Sequence, residues 1–479
     1  MALLSKSFLA FILVGLVLFH ARLSARWRTA VILGMNVVFV SSFAQSVSEL
    51  VPLIAFVFFC YVCIRNAQGR YVEGAFIPSL VAIVGAFVYL KQYSFVSFVP
   101  GLAEPYVLVG LSYIVFRVIH VLIDVHQGAI SERVSALKLF NYAFFFPAFL
   151  SGPIHRFEDH RKQERRLDSF AISSETLYEA LLRVSNGYIK IIIDSFTLEV
   201  LFTNCRDWLF SNLQNSLLGA VHGIGSLAYF LHLYLNFSGY VDIVVGIGLL
   251  FGFRLPENFD RPFASGSFLE FWGRWHMTLS SWFRTYVFNP IVKALALSTD
   301  DYRWTPYLGA LAYFITFLLV GIWHGSTYSS VLLGVMLGVG AGANKLYELL
   351  MGSLLGKERF KNLRSNGLYG ALTGGLTIAY IAFSLTCLWL QIHQLRLLAL
   401  NAGVLKTVES LGLMVAMLMA AFFVSHGIRA LVNSTIHLTR DGGESWLVRQ
   451  GFLAARVFLL TLLLFVYYGD VPEFVYVAY

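Results

Sequence analysis

The sequence has few charged residues for its length. They occupy 13% of its 479 positions, whereas hydrophobic residues occupy 58%. A water-soluble domain carries about 25% charged residues, so this composition excludes an ordinary soluble globular protein. Apolar stretches near the roughly 20 residues that span a bilayer recur from end to end, for example at Leu217–Leu233, Val241–Phe253 and Gly451–Tyr468. Because lipid offers no hydrogen-bond partners, we predict an all-α, polytopic integral membrane protein with about ten to twelve transmembrane helices.

Cysteines, polar linkers and repeats are also scarce. Two of the four cysteines, Cys60 and Cys63, are separated by only two residues, but they lie in an apparent membrane span without a second pair. This placement favours packing over a metal or redox role, so we predict no metal site. No polar linker and no internal repeat divides the chain, which predicts a single membrane domain over residues 1–479. No Gly-x-Ser-x-Gly sequence is present, which argues against a serine acyl-enzyme.

The net charge of +8 is spread through the loops. This pattern indicates anchoring beside anionic lipid headgroups, and we predict no binding of nucleic acid. Arg22, Arg26 and Arg28 follow the first apolar run, which we interpret as a first span and not as a cleaved signal. Since basic loops stay in the cytoplasm, these arginines predict an N-terminus outside the cell.

The segment from Asn141 to Arg166 joins an apolar run to a charged one. Pro147, Gly152 and Pro153 interrupt the apolar part, and basic residues stand on both sides of it. We predict a re-entrant segment that enters and leaves by the same face, followed by a cytoplasmic charged segment over residues 155–168. The alternative is an ordinary span with a proline kink.

An aromatic helix is predicted over Phe268–Tyr286. At 3.6 residues per turn, Trp275 belongs to an aromatic face, Arg274 to a polar face, and His276, Ser280 and Arg284 to the edge between them. Such a helix either lines a cavity or lies at the membrane interface as an anchor. The helical pattern leaves both interpretations open.

His324 lies at the end of an apolar span, within the sequence Gly321–Ser326. The span carries no charge between Pro306 and Trp323, and His324 is followed by Gly325. A lone histidine here is commonly a packing residue. However, Gly325 leaves room for close approach, and ionisable residues within membranes are functional candidates by default.

These features, in this order, resemble the membrane-bound O-acyltransferase (MBOAT) family. The similarity is strongest to its bacterial branch, which includes alginate O-acetylation proteins and the D-alanyl transferase of teichoic acids. The matching blocks fall within residues 105–330, which the resemblance identifies as the catalytic core, built around a central tunnel. They begin at Gly110 (Gly-Leu-Ser-Tyr), Ser151 (Ser-Gly-Pro-Ile), Phe237 (Phe-Ser-Gly-Tyr), Phe251 (Phe-Gly-Phe-Arg), Phe271 (Phe-Trp-Gly-Arg-Trp-His) and Gly321 (Gly-Ile-Trp-His-Gly-Ser).

The resemblance implies an acyl transfer reaction with His324 and His276 as the catalytic residues. We expect His324 to be the general base and His276 to orient the acceptor or stabilise charge. The residues expected to bind donor or acceptor are Trp323, Gly325, Trp275, Arg274, Ser280, Arg284, Asn258 and Asp242.

The implied substrates lie on opposite sides of a bacterial cytoplasmic membrane. No bound cofactor is expected. The donor would be a cytosolic thioester of coenzyme A or of an acyl carrier protein, carrying an acetyl or D-alanyl group. The acceptor would be a hydroxyl of a cell-surface polysaccharide or polymer, reached with a periplasmic or extracellular partner acyltransferase.

Two alternatives remain open. One is a lipid or protein O-acyltransferase that uses acyl-coenzyme A. The other, from a different class, is a transporter or flippase of a surface polymer, with Asp124, Asp242, Glu270 and the histidines along its path. The lack of an internal repeat argues against the transporter.

Overall fold

The protein is described by a computed structural model, which covers residues 5–22, 24–68, 72–96, 110–298, 301–436 and 451. These residues form nineteen α-helices and no strand beyond one isolated bridge, which confirms the all-α prediction. The first nine helices are α1 (Lys6–Ala21), α2 (Ala25–Ser41), α3 (Val47–Ala67), α4 (Val72–Lys91), α5 (Leu111–His126), α6 (Ala136–Ala143), α7 (Phe157–Arg165), α8 (Ser174–Phe196) and α9 (Leu198–Ser211). The others are α10 (Leu218–Leu250), α11 (Phe268–Arg274), α12 (Met277–Phe283), α13 (Asn289–Leu297), α14 (Thr305–His324), α15 (Tyr328–Leu355), α16 (Lys357–Arg364), α17 (Gly367–Ser384), α18 (Thr386–Trp389) and α19 (Ile392–Ile436).

Seven helical segments in the described part of the chain are long and apolar enough to cross a membrane. They comprise α3, α4, α10, α14, α15, the consecutive α17 and α18, and α19 as far as Val424. The protein is therefore a multi-pass membrane protein. Helix α1 is apolar but has only 16 residues, and the expected span at Gly451–Tyr468 falls almost entirely outside the described residues.

One expectation about the spans was wrong. The apolar runs at 217–233 and 241–253 suggested two membrane segments, but they form the single 33-residue helix α10. The polar residues between the runs, such as Asn236 and Ser238, are buried. A helix that is buried in protein can keep such groups without ending, because they find partners other than lipid.

The described residues group into two compact units. The first contains residues of Met1–Lys190 and Phe237–Asn258. Its buried centre includes the interrupted segment predicted to be re-entrant: α6 ends at Ala143, and a single 3-10 turn follows at Phe146–Ala148. An eight-residue helix is too short to span a bilayer, so an ordinary proline-kinked span is excluded. Entry and exit by the same face stays a prediction.

Arg117 of α5 holds this irregular segment in place. Its side chain is fully buried and donates to the carbonyl oxygens of Ala143, at 2.8 Å, and Ala148. Buried carbonyl groups outside a helix need such donors, because an unpaired one is costly in a dry interior. The guanidinium therefore stabilises backbone that a helix would otherwise have satisfied.

The charged segment 155–168 is folded against the rest of the first unit. Glu132 accepts from Arg161 at 2.7 Å and from Arg165 at 2.8 Å, both on α7. The Arg161 side chain is only 8% exposed, whereas Glu132 is 52% exposed, so the pair lies at the surface of the unit and solvent screens it. The segment is thus a packed part of this unit and not a loose loop.

The second unit contains Ile191–Asn236 and the described residues of Phe259–Leu463. Within it, α14 and α15 are joined by three residues and pack as an antiparallel pair. A Cβ atom on Gly321 would lie 2.2 Å from the backbone of Gly334, and one on Gly338 would lie 2.8 Å from the Phe314 carbonyl oxygen. These glycines therefore allow the two helix backbones to approach closely.

Candidate active site

His276 lies at a break between two helices. The predicted continuous helix over Phe268–Tyr286 was wrong: α11 ends at Arg274, Trp275 is extended, and α12 starts at Met277. His276 itself is left-handed, with φ 43° and ψ 52°. The sequence carries no sign of this two-residue break, because its aromatic and polar residues keep helical spacing from α11 into α12.

Hydrogen bonds on both sides hold this break. The Asp260 amide donates to the Arg274 carbonyl oxygen at 3.0 Å, and the Ser280 amide donates to the His276 carbonyl oxygen at 3.0 Å. The Ser280 hydroxyl also donates to the Trp275 carbonyl oxygen at 3.2 Å. A left-handed non-glycine residue costs of order 1 kcal/mol and persists where its surroundings enforce it, often at functional sites.

His276 is buried, with 1% of its surface exposed. Burial lowers the pKa of His276 well below its usual value, and the charge of His324 lowers it further. The structure therefore brings the two histidines within electrostatic reach of each other, as expected for a shared site. At neutral pH the His276 imidazole is uncharged and can donate or accept a hydrogen bond.

His324 is the last residue of α14, and the Trp323 ring centre lies 4.6 Å from its own. Gly325 follows in an extended conformation, and a Cβ atom there would lie 2.2 Å from the Ser330 hydroxyl oxygen. The room beside Gly325 is thus taken by Ser330. Direct contact of Gly325 with a substrate stays a prediction.

A small cavity of about 60 Å³ lies beside these residues on the same elements. Ser280 and Arg284, both predicted site residues, line it. Each histidine lies one helical turn from a lining residue, His276 before Ser280 and His324 after Val320. The other lining residues include Trp272, Leu279, Phe283, Tyr313, Thr316 and Phe317. A π-helical turn at 284–288 widens the helix here, a feature frequent at functional sites.

Arg274 and Trp275 make contacts with the protein itself. Arg274 pairs with Glu270 at 3.1 Å on the same helix. The Trp275 ring stacks on Phe271 with centres 5.4 Å apart and meets the Phe259 ring edge-on at 5.1 Å. These contacts fix the residues that precede His276. A role in binding donor or acceptor stays a prediction for both.

Asp242 and Asn258 belong to the first unit and are described separately. The Asp242 carboxylate accepts from Arg183 at 2.9 Å and from Lys190 at 2.6 Å, and Asn258 is fully buried. These ion pairs satisfy Asp242 within its own unit, so the structure adds no support for substrate binding there.

Sequence reasoning missed two buried pairs of ionisable groups. His232 Nδ1 lies 2.8 Å from Asp194 Oδ2 in the second unit. His155 Nε2 lies 3.2 Å from His160 Nδ1 in the first, and burial lowers the pKa of His160 to about 3. The sequence does carry a signal for the first pair, because Asp194 is an ionisable residue within the apolar run Ile191–Phe196.

Comparison with known proteins gives the family. The family model of the membrane-bound O-acyltransferases matches residues 39–351, so the chain belongs to the MBOAT family. This confirms the resemblance inferred from the motifs.

The relatives that the chain matches include a probable O-acetylase and a D-alanyltransferase. The chain is 32% identical over 246 residues to a probable alginate O-acetylase of Pseudomonas putida, a match that covers 49% of this chain and 46% of that protein. It is 29% identical over 229 residues to the teichoic acid D-alanyltransferase of Bacillus subtilis, which covers 47% and 56%, respectively. The chain thus spans about half the length of the curated relatives it matches.

Proposed function

We propose that the protein moves an acetyl or D-alanyl group from a cytosolic thioester across the membrane towards a hydroxyl of a cell-surface polysaccharide or polymer. The observation that carries the proposal is that His276 and His324 each lie one turn from the lining of the same small cavity. Membership of the MBOAT family and the names of its relatives support the same reaction class.

His324 is the proposed general base. The acceptor hydroxyl oxygen attacks the thioester carbonyl carbon while His324 takes the hydroxyl proton. The resulting tetrahedral oxyanion collapses, the carbon–sulfur bond breaks, and the proton passes from His324 to the leaving thiolate. The products are an ester and a free thiol, so atoms and charge balance without an acyl-enzyme intermediate.

His276 is proposed to act as a neutral hydrogen-bonding group. Its lowered pKa keeps it uncharged at neutral pH, so it would support the oxyanion or the acceptor through an N–H donor and not as a cation. The left-handed backbone, braced by Ser280, fixes the direction of the ring. Such prior positioning avoids reorganisation when charge develops in the transition state.

The size of the cavity favours a short acyl group. A volume of about 60 Å³ equals about two water molecules at 30 Å³ each, which suits a two- or three-carbon acyl group better than a fatty acyl chain. Arg284 lines the same cavity and is exposed, so it could attract the phosphate of a phosphopantetheine arm.

The donor is either acyl-coenzyme A or an acidic carrier protein on the cytosolic side of the bacterial inner membrane. A partner acyltransferase outside completes the transfer to the polymer. The basic residues that follow the first span place the N-terminus outside.

Thioester turnover by purified protein in nanodiscs tests the proposal. Acetyl-coenzyme A and D-alanyl carrier protein are offered with a soluble acceptor sugar, and free thiol is measured. His324→Ala is expected to lower turnover at least 100-fold, because general-base catalysis contributes about that much or more. His393→Ala, an exposed histidine at the start of α19, is the matched control and should retain full turnover.

Donor length provides a second readout. Hexanoyl-coenzyme A is expected to turn over at least tenfold more slowly than acetyl-coenzyme A if the small cavity receives the acyl group. Equal rates would refute the size argument alone. Full turnover in folded His324→Ala would refute the role of His324.

A further inference from the structure

A second and larger cavity lies within the second unit, away from the residues that line the first. Its volume is about 180 Å³, and α10, α15, α17, α18 and the first part of α19 surround it. Most of its lining is apolar, and Lys406 is its only lysine or arginine. The apolar lining residues include Leu218, Leu332, Met336, Phe383, Leu398 and Ala402.

The polar groups inside this cavity are already satisfied by one another. His222 Nδ1 lies 3.1 Å from the Ser410 hydroxyl, and His222 Nε2 lies 3.3 Å from the hydroxyls of both Thr386 and Ser226. These groups therefore do not need water from the cavity. A dry, apolar cavity of this kind is suited to hydrocarbon, since cavities lined by apolar groups bind apolar molecules in place of water.

The wall formed by α19 is broken beside the cavity. Gly403 has φ 61° and ψ −172° within this helix, between Ala402 and Lys406, which both line the cavity. A Cβ atom on Gly219 of α10 would lie 2.5 Å from the Lys406 carbonyl oxygen. Helix α10 packs closely against α19 at Lys406, and α19 changes direction at Gly403. The cavity lies beside these two places.

The outer face of α19 beside the cavity carries exposed apolar side chains. Val404 and Leu405 are each 82% exposed, and Val408 is 60% exposed. Such a patch on a helix that can span a membrane is expected to contact acyl chains. From Ser410 to Ile428 the sequence has no Asp, Glu, Lys or Arg, which is close to the roughly 20 residues of a bilayer core. Lys406 precedes this stretch by one turn, a position that corresponds to the lipid headgroups.

We propose that this cavity binds the glycerol-proximal carbons of one acyl chain of an anionic phospholipid, with the lipid phosphate at Lys406. The Lys406 ammonium donates one hydrogen bond, to the Asn215 carbonyl oxygen at 3.0 Å, and an ammonium group has three donors. The volume slightly exceeds that of a cavity known to hold benzene, so it fits about six carbons of a chain. The site does not depend on the proposed acyl transfer.

Photo-cross-linking and native mass spectrometry test the site. Full-length protein is incubated with phosphatidylglycerol or phosphatidylcholine of matched length, each with a diazirine within the first six carbons of one acyl chain. Cross-links are expected in peptides from α15 and from Thr386–Thr407. Retained lipid, measured after mild detergent, is expected to favour phosphatidylglycerol.

Variants test the lysine and the apolar cavity of this site separately. Lys406→Ala should weaken binding of phosphatidylglycerol about fivefold, the effect of one lysine near a charged lipid surface, and leave phosphatidylcholine unchanged. Lys357→Ala, at an exposed lysine on α16, is the matched control and should change neither lipid. Ala402→Phe should fill the cavity and remove the cross-links of both lipids, and Met336→Trp fills it from the opposite wall if the first variant does not fold.

Two results would overturn the proposal. One is unchanged preference for phosphatidylglycerol in Lys406→Ala. The other is cross-linking that persists at the same peptides in a folded cavity-filling variant.

Discussion

Replacing His276 by glycine and by alanine separates the backbone conformation of this residue from the chemistry of its ring. Both changes remove the imidazole. They differ in how well the new residue tolerates the left-handed conformation, φ 43° and ψ 52°, that connects α11 to α12. Glycine adopts this conformation freely, whereas alanine meets the same steric conflict as histidine.

The expected difference in stability follows from two opposing terms. The left-handed conformation costs an L-residue about 1–2 kcal/mol. Glycine in turn loses about 0.4–1 kcal/mol more than alanine through the greater freedom of the unfolded chain. His276→Gly should therefore be more stable than His276→Ala by roughly 0.5–1 kcal/mol, although it is the smaller side chain.

The free energy of unfolding is measured by SDS titration in mixed micelles, and thioester turnover is measured on the same samples. We expect both variants to lose at least 100-fold in turnover, within a factor of about three of each other, because neither has a ring nitrogen. A glycine variant less stable than the alanine variant would refute the left-handed geometry. Turnover restored in the glycine variant would show that the left-handed backbone conformation, and not the imidazole, is what the reaction needs.

Two further predictions concern packing and pH. Gly334→Ala should lower the free energy of unfolding by about 1–3 kcal/mol in SDS titration, because its Cβ would lie 2.5 Å from the Leu318 carbonyl oxygen. Gly309→Ala on α14, where a Cβ would meet nothing within 4 Å, should be neutral or slightly stabilising. The His160 pKa of about 3 lies below that of the unfolded chain, about 6.5, so the unfolded state binds more protons and stability falls as pH drops below 6.5. Between pH 7.5 and pH 5, His160 alone should lower the free energy of unfolding by about 2 kcal/mol. His160→Phe should remove this loss, and His393→Phe, at an exposed histidine, should leave it in place.

Composition and spacing were sufficient to predict the class of fold and the family, whereas the catalytic role of the two histidines stays a prediction. Few charges and repeated apolar runs required membrane helices, and the two Trp-His motifs indicated the family. The break at His276 could not be predicted, because the aromatic and polar residues keep helical spacing in the sequence through Trp275 and His276. The merging of two apolar runs into α10 was missed for a different reason: burial, which sequence does not reveal, lets Asn236 lie within a continuous helix.

The environment of each histidine explains why the short motifs around them are insufficient by themselves. His276 owes its position to the amide of Asp260 and the hydroxyl of Ser280, which hold the backbone of the two residues before it. His324 owes its position to the close approach of α14 and α15, which requires glycine at 321 and 334. Both supports act on the backbone and not on the imidazole rings. A chain that keeps both Trp-His motifs but loses Ser280 or Gly334 is therefore expected to misplace the imidazoles and to lose turnover although its motifs are intact.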